Sequence, residues 1–512
     1  MTNRSRSSAV PALGTHAARH SGTHTATGNR GLSRRRLLIG LSGVGAAAAL
    51  GGTWLSNAGR AEAGTATGTL TIPPLLSPTD DAGVNVFGLD MQFGTAELRS
   101  GVTSTTAGFN GPYLGPVIKV NNGDQVRMEV TNSLNEDTTV HWHGAHVPPS
   151  VDGGPQNVIA AGATWQPEFT INQAACTLWF HPHALETTAK QVGWGLAGMI
   201  IVNDDSAAAT ALPNDYGTDQ FPLIVQSVPV NTSGVIQSTT AGLTSSSTSF
   251  PLIVNGANAA TATPVLNVDS SRVRFHLLNG SITDIITITR TDGAVMTQVA
   301  SEAGFLPVPL AATSVRLVAG ERAEIVLDLT SGSAVTLQAT VTAGGARGGS
   351  GTTAILTVST TSTSTPAALP AVLNTITALD TTGATTRTIA LTNNGNAMFI
   401  NGVSGTTMAT MEANMIMTTL NAIEKWTITN ATNLLHSFHL HDVPFQVISV
   451  NGVAPTGSWV GWKDTVEMAA RSTVVIAMQF TDYTDSAYGY MLHCHNAIHE
   501  DEGMMAMLMV TD

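Results

Sequence analysis

Eight of the histidines in this 512-residue chain come as four His-x-His pairs: His141 with His143, His181 with His183, His439 with His441, and His493 with His495. On an extended strand, residues i and i+2 point to the same face, so each pair offers two imidazoles in one direction. Eight nitrogens are too many for one metal ion and suit a cluster of several. Imidazole accepts copper, zinc, iron or nickel, so the pairs alone do not name the metal. One His-x-His pair would be unremarkable as structure, but four of them, with a cysteine inside the last, are not scattered by chance.

The pairs sit in a repeated frame. The alternating stretch Gln125–Asn132 leads to His141-Trp142-His143-Gly144, and the alternating stretch Glu424–Asn430 leads to His436, His439 and His441. Trp179-Phe180-His181-Pro182-His183 is followed by the apolar run Gly195–Val202, and Tyr490–His495 by Gly503–Val510. A third copy, Arg272–Asn279, has the strand-then-Asn form without a histidine cluster after it. With abundant Gly, Val and Thr and few amphipathic helical patterns, this predicts an all-β chain of three β-sandwich domains. The outer two carry metal and the middle one is a spacer. The boundaries read as 64–204, 205–360 and 361–512, with Ser359–Pro370 as a linker and Gly344–Gly351 as a surface hairpin loop.

The first 63 residues are set apart. Arg34-Arg35-Arg36 precedes an apolar, Gly- and Ala-rich run from Leu37 to Leu55, and Ala61-Glu62-Ala63 reads as a cleavage site. This is a signal peptide of the twin-arginine type, so an exported, periplasmic or extracellular protein is expected, with no stable membrane span after cleavage. The alternative is a retained anchor. The segment holds eight arginines and one acid, and removing it leaves 14 basic and 34 acidic residues. Such a surface repels phosphate backbones, which argues against nucleic acid as a partner.

Only Cys176 and Cys494 are present. Cys494 lies between His493 and His495, which argues for a metal ligand and leaves Cys176 as a buried thiol. Cys494, His499, Met504 and the upstream His436 make up two histidines, a thiolate and a thioether, the donor set of a blue-copper electron-transfer site. On an extended strand His493 and His495 face away from Cys494. The thiolate would then serve one copper and its neighbours the cluster. His276 reads as an ordinary strand histidine, and His146 as a bystander of the first pair in preference to a hydrogen-bond partner of the cluster.

His-Trp-His-Gly at 141–144, His-Pro-His at 181–183, His-x-x-His-x-His at 436–441 and His-Cys-His-x-x-x-His-x-x-x-x-Met at 493–504 resemble the four copper motifs of multicopper oxidases. The likeness covers essentially the whole chain after the signal. Val151–Gln156, Gln191-Val192 with Gly195–Gly198, and Gly461–Val466 resemble the bacterial copper efflux oxidases and laccase-like enzymes. The resemblance implies cupredoxin-like Greek-key sandwiches and four copper ions. His436, Cys494 and His499, with Met504 axial, would bind the type 1 copper, and His141 and His439 the type 2 copper. His143, His181, His183, His441, His493 and His495 would hold the type 3 pair. Asp152 and Glu500 match the acids that relay protons, and Cys494 with His493 and His495 matches the electron path.

The implied activity is one-electron oxidation of a phenol, aromatic amine or metal ion, coupled to reduction of dioxygen to water by a monomeric, laccase-like enzyme. One departure bears on the donor. Where copper efflux oxidases carry an Asp and a Met before the third motif, this chain has Thr432 and Leu434, and their Met- and His-rich insert is absent. That argues against a cuprous-ion docking site of their kind. Met408, Met411, Met415 and Met417 read as core and loop residues, with soft ligation of Cu(I) as the alternative. A periplasmic cuprous oxidase is therefore the runner-up. A copper-binding electron carrier needs only the Cys494 site, so the eight paired histidines speak against it. A copper nitrite reductase matches neither the eight-histidine set nor the His-Cys-His junction.

Overall fold

The computed structural model describes residues 68–345 and 347–512; the signal segment lies outside them. The described chain is built almost wholly of strands, arranged as three successive pairs of sheets. Strands between Thr79 and Asn203 form a six-stranded and a four-stranded sheet, those between Gln220 and Thr360 a seven- and a five-stranded sheet, and those between Thr385 and Thr511 two five-stranded sheets. Each pair encloses an apolar core: Phe87, Met128, Trp142 and Phe180 in the first, Phe221, Phe275, Ile325 and Leu356 in the second, Trp426, Phe438, Tyr490 and Leu508 in the third. No helix among the described residues is long and apolar enough to cross a membrane.

The expected repeat is present in the hydrogen bonding. Gln125–Asn132, Arg272–Asn279 and Ile423–Asn430 each pair in parallel with an earlier strand. Each also ends on a buried asparagine. Asn132 Oδ1 accepts from the N–H of Leu134, Asn279 Oδ1 from Ser281, and Asn430 Oδ1 from Thr432, always two residues on. In all three copies the amide Nδ2 donates to at least two backbone carbonyls, among them Ile159, Leu317 and Met468. One side chain thus satisfies the backbone where each strand leaves its sheet, which is why the strand-then-Asn pattern is visible in sequence.

The opposing sheets place the histidines. His141–His143 pairs antiparallel with Cys176–His181, setting His141 opposite His181. His436–Leu440 pairs with Tyr490–Cys494, setting His439 opposite His493. The linker begins later than expected, because the strand Gly351–Thr360 keeps Ser359 and Thr360 in the ladder with Ala334 and Val268. The glycine-rich patch does join two antiparallel strands, Ala334–Thr342 and Gly351–Thr360. It is tied inward rather than free on the surface: the buried Asp284 carboxylate accepts from the N–H of Gly349 at 2.6 Å and of Gly344 at 3.4 Å.

Candidate metal centre

The eight paired histidines meet in one buried cluster. One ring nitrogen from each of His141, His143 and His439 lies within 4.8 Å of the others, and the same holds for His143, His181 and His495 and for His183, His441 and His493. His183 Nε2 and His493 Nε2 are 3.0 Å apart, and His441 Nε2 stands 3.2 Å from the same atom. His181 Nε2 and His495 Nε2 are separated by 3.4 Å. The opposite ring nitrogens are held by the protein. His141 Nδ1 donates to the Asp152 carbonyl at 2.8 Å, His181 Nδ1 to the Pro182 carbonyl at 2.8 Å, and His439 Nδ1 to the Asp464 carbonyl at 2.9 Å. His441 Nδ1 donates to Asp152 Oδ2 at 2.7 Å.

A ring nitrogen that donates to a fixed acceptor leaves its partner as a bare lone pair. Burial, reinforced by mutual repulsion, holds His143, His181, His439 and His441 well below the usual histidine range, and brings His183, His493 and His495 down to about 3. His141 Nε2, His143 Nδ1 and His439 Nε2 are buried with no protein hydrogen-bond partner among the described residues. Unprotonated, unpartnered nitrogens converging in the interior are costly unless cations bind them. This donor set fits several copper ions.

The second site lies across the strand. His436 Nδ1 is 3.5 Å and His499 Nδ1 3.7 Å from Cys494 Sγ, and the two nitrogens are 3.1 Å apart. His493 and His495 turn to the cluster while Cys494 turns away, as extended geometry requires. Burial pushes the Cys494 thiol up to about 12, so stabilisation of its thiolate falls to a bound cation. Met504 is fully buried beside it, with its carbonyl accepting from the Cys494 N–H at 3.0 Å. Helix Ala497–Asp501 presents His499, capped by Asn496, whose Oδ1 accepts from the His499 N–H. A shallow recess lined by Thr240, Leu243, Thr283, Gly345 and Arg347 reaches His499.

The multicopper oxidase family description matches the chain twice, at residues 90–207 and 378–512. The multicopper oxidase mco of Staphylococcus aureus is 31% identical over 449 residues, covering 86% of this chain and 92% of that protein. The chain belongs to the multicopper oxidase family. The cell division protein FtsP of Sodalis glossinidius is also 31% identical, over 94% of this oxidase and 98% of its own length. Among solved structures, a multi-copper oxidase from Pediococcus acidilactici superposes with a TM-score of 0.76 at 27% identity, covering 87% of this chain and 91% of the other. A bacterial laccase-like multi-copper oxidase, CueO, from the lignin-degrading Ochrobactrum sp. gives 0.75 at 31% identity over 86% and 100%.

Asp152 and Glu500 are both buried, Glu500 Oε2 lies 3.1 Å from His493 Nδ1, and Thr188 donates to Glu500 Oε1 at 2.7 Å. Cys176 is a free buried thiol. His276 is an ordinary strand histidine, bonded to Thr177 and Gln220. His146 is not a bystander. It joins Asp442, the neighbour of His441, at 2.6 Å and Asp482 at 3.0 Å. Burial opposes its charge, but the hydrogen bonds and charges of those two acids outweigh it and raise its pKa. Met411 packs with Met491, Met505 and Met507; Met408 and Met415 lean on that cluster, while Met417 is exposed.

Sequence reading passed over Asp464, Arg322 and the use made of Thr432. Asp464 lies inside Gly461–Val466, a stretch whose family resemblance was the available signal.

Proposed function

We propose that this multicopper oxidase is laccase-like, taking single electrons from small phenolic or aromatic donors at the recess beside His499. The observation that carries the reading is the segment His493-Cys494-His495, which lends side chains to both sites at once. Bound copper would supply one-electron acceptance at the Cys494 site and four-electron reduction of dioxygen to water at the histidine cluster. The residue arrangement supports His436, Cys494 and His499, with Met504, as type 1 ligands. It supports His141 and His439 for type 2, and His143, His181, His183, His441, His493 and His495 for the type 3 pair. Cys494 is one peptide unit from each neighbouring histidine, so the route between the sites is covalent.

Asp152 and Glu500 are the proposed proton carriers. Each is in contact with cluster histidines, and Asp152 Oδ1 and Glu500 Oε2 have no other partner among the described residues. A proton carrier must lie within hydrogen-bond reach of its partner or of a bridging water, and both carboxylates meet that geometry on the protein side. Domains are proposed at 64–204, 205–360 and 361–512, in an exported monomer.

The donor class is favoured by what surrounds the Cys494 site. Thr432 brings a hydroxyl already committed to His436 and Asn430, and Met411, Met505 and Met507 pack against one another. The test is dioxygen uptake by the copper-loaded protein with dimethoxyphenol and, separately, with Cu(I). Rapid uptake with the phenol and little with Cu(I) is expected. The reverse preference would make it a cuprous oxidase, and uptake with neither donor by a fully loaded protein would sink the oxidase reading.

A further inference from the structure

Among the described residues the middle pair of sheets carries no ligand cluster, yet one of its turns is wedged between the strands that bear the clustered histidines. Val318-Ala319-Gly320-Glu321-Arg322 is buried along its length, at the entry to strand Arg322–Asp328. The Ala319 carbonyl accepts from Ser437 Oγ at 2.7 Å, and Ser437 in turn accepts through its carbonyl from the His495 N–H. Gly320 has φ +84, and a Cβ there would stand 2.7–2.9 Å from the His495 ring. The turn therefore rests directly on a cluster imidazole, at a distance only glycine permits.

Arg322 makes the second contact. Its guanidinium grips Asp464 with both nitrogens, at 2.7 and 2.6 Å, and its Nε donates to the Thr177 carbonyl at 2.9 Å. Asp464 touches two cluster histidines: its carbonyl accepts from His439 Nδ1, and its Oδ1 lies 3.3 Å from His143 Nε2. His143 thereby keeps Nδ1 for the interior. The ion pair also explains the glycine of the first motif, since a Cβ on Gly144 would meet Arg322 Nη2 at 2.5 Å and Asp464 Oδ2 at 2.7 Å. On the far side, Lys463 is held by Glu302 at 2.7 Å and Glu321 at 3.0 Å. The segment carrying Asp464 is thus clamped from the middle sheets by three buried side chains, Arg322, Glu302 and Glu321.

We propose that the turn Val318–Arg322 is a brace that fixes His439, His143 and His495 relative to one another, with Arg322 as its positioning residue acting through Asp464. The middle sheets are then part of the cluster's scaffold and not a spacer. A buried pair is poor evidence for added stability. It serves well to orient, because a forked guanidinium on a carboxylate admits one geometry. The inference rests on the type 2 and type 3 assignment proposed above.

The test compares Arg322→Lys with the wild type as copper-loaded full chains. Lysine keeps the charge and loses the fork. The brace predicts an altered type 2 paramagnetic resonance signal and about 10–100-fold weaker retention of that copper against a chelator, with the type 1 absorbance unchanged. A type 2 signal and copper retention matching wild type would overturn it, as would loss of all coppers in parallel with a fall in Tm. Should Arg322→Lys not accumulate, Gly320→Ala decides, since it adds one methyl against His495 and leaves every charge in place. A changed cluster signal with normal type 1 absorbance supports the brace, and an unchanged one overturns it. A wild-type protein that shows type 1 absorbance but no type 2 signal would remove the copper assignment itself, and the brace with it.

Discussion

Thr432 shows how one hydroxyl can set a metal ligand. His436 Nε2–H donates to Thr432 Oγ1 at 2.8 Å, and the hydroxyl donates its own hydrogen bond to Asn430 Oδ1 at 2.8 Å, so the ring can only turn a bare Nδ1 toward Cys494. A hydrogen bond of this kind raises the basicity of the ligating nitrogen and favours the oxidised ion. Thr432→Val should therefore raise the potential of the copper proposed at Cys494 and weaken its retention about 10–100-fold, read by redox titration of that site's absorbance and by chelator competition. No change in either would show the bond to be idle. Met504→Leu should also raise the potential, by removing a weak axial donor; a measured drop would count against Met504 as a ligand. The clustering of the paired histidines was legible because pair spacing on a strand fixes which side chains share a face. Asp152 and Glu500 were reached only through the family resemblance, since nothing in their own sequence surroundings marks either acid as buried. Arg322 and Asp464 were out of reach for a plainer reason: they are 142 residues apart and meet only when the sheets assemble.

At the scale of elements, the alternation of apolar side chains and the closing asparagines made the three copies of the strand pattern readable without any tertiary information. What alternation cannot reveal is a strand buried on both faces. Arg272–Asn279 is one, and it carries a buried polar network: Arg274 pairs with Glu324, while Thr177 donates to Glu324 Oε1 at 2.8 Å. Burial opposes ionisation of Glu324, yet Arg274, His276 and Thr177 outweigh it and hold its carboxyl well below the usual carboxylate range. A depressed carboxyl contributes stability that is present above its unfolded pKa, about 4.3, and is lost as pH falls through the folded value. Wild-type stability should decline below about pH 4 for this reason. Glu324→Gln leaves Arg274 buried and uncompensated, so it should cost about 3–5 kcal/mol near neutral pH and flatten the acid limb. Denaturant titrations at pH 7 and pH 3.5 check both. Equal loss at the two pH values would mean that Glu324 is not ionised in the native state.

For the whole molecule, the proposed copper ligands come from the first and third pairs of sheets and the brace from the second, so metal binding and assembly become one equilibrium. His141, His143, His181 and His183 lie in the early strands and loops, His436 to His499 in the late ones, and every histidine-only group close enough to share an ion draws from both ends. The unfolded chain holds no such arrangement, so a bound ion stabilises the native state by the mass-action term, about 2.7 kcal/mol for each site when free copper stands 100-fold above its Kd. The joint between the first and second pairs needs no ion, because Tyr113, Trp179, Met199, Ile224 and Leu278 pack across it. The joint to the third pair differs. Its apolar share is the small group Ala189, Val192, Leu243, Ile282, Ala497 and Ile498, with Leu185 against Met491, Met505 and Met507, and much of the remainder is histidine lone pairs and buried charge. Stripping copper should therefore loosen the last 130 or so residues before the rest, a local opening of the low-stability unit. Calorimetry of the loaded protein should show one main transition. After chelation a lower-temperature shoulder should separate from it, and returning copper should merge the two. Hydrogen exchange would place the early opening in strands His436–Leu440 and Tyr490–Cys494. If exchange in the stripped protein rises uniformly over all three pairs of sheets, the sheets unfold as a single unit and copper is not what fastens the third to the first.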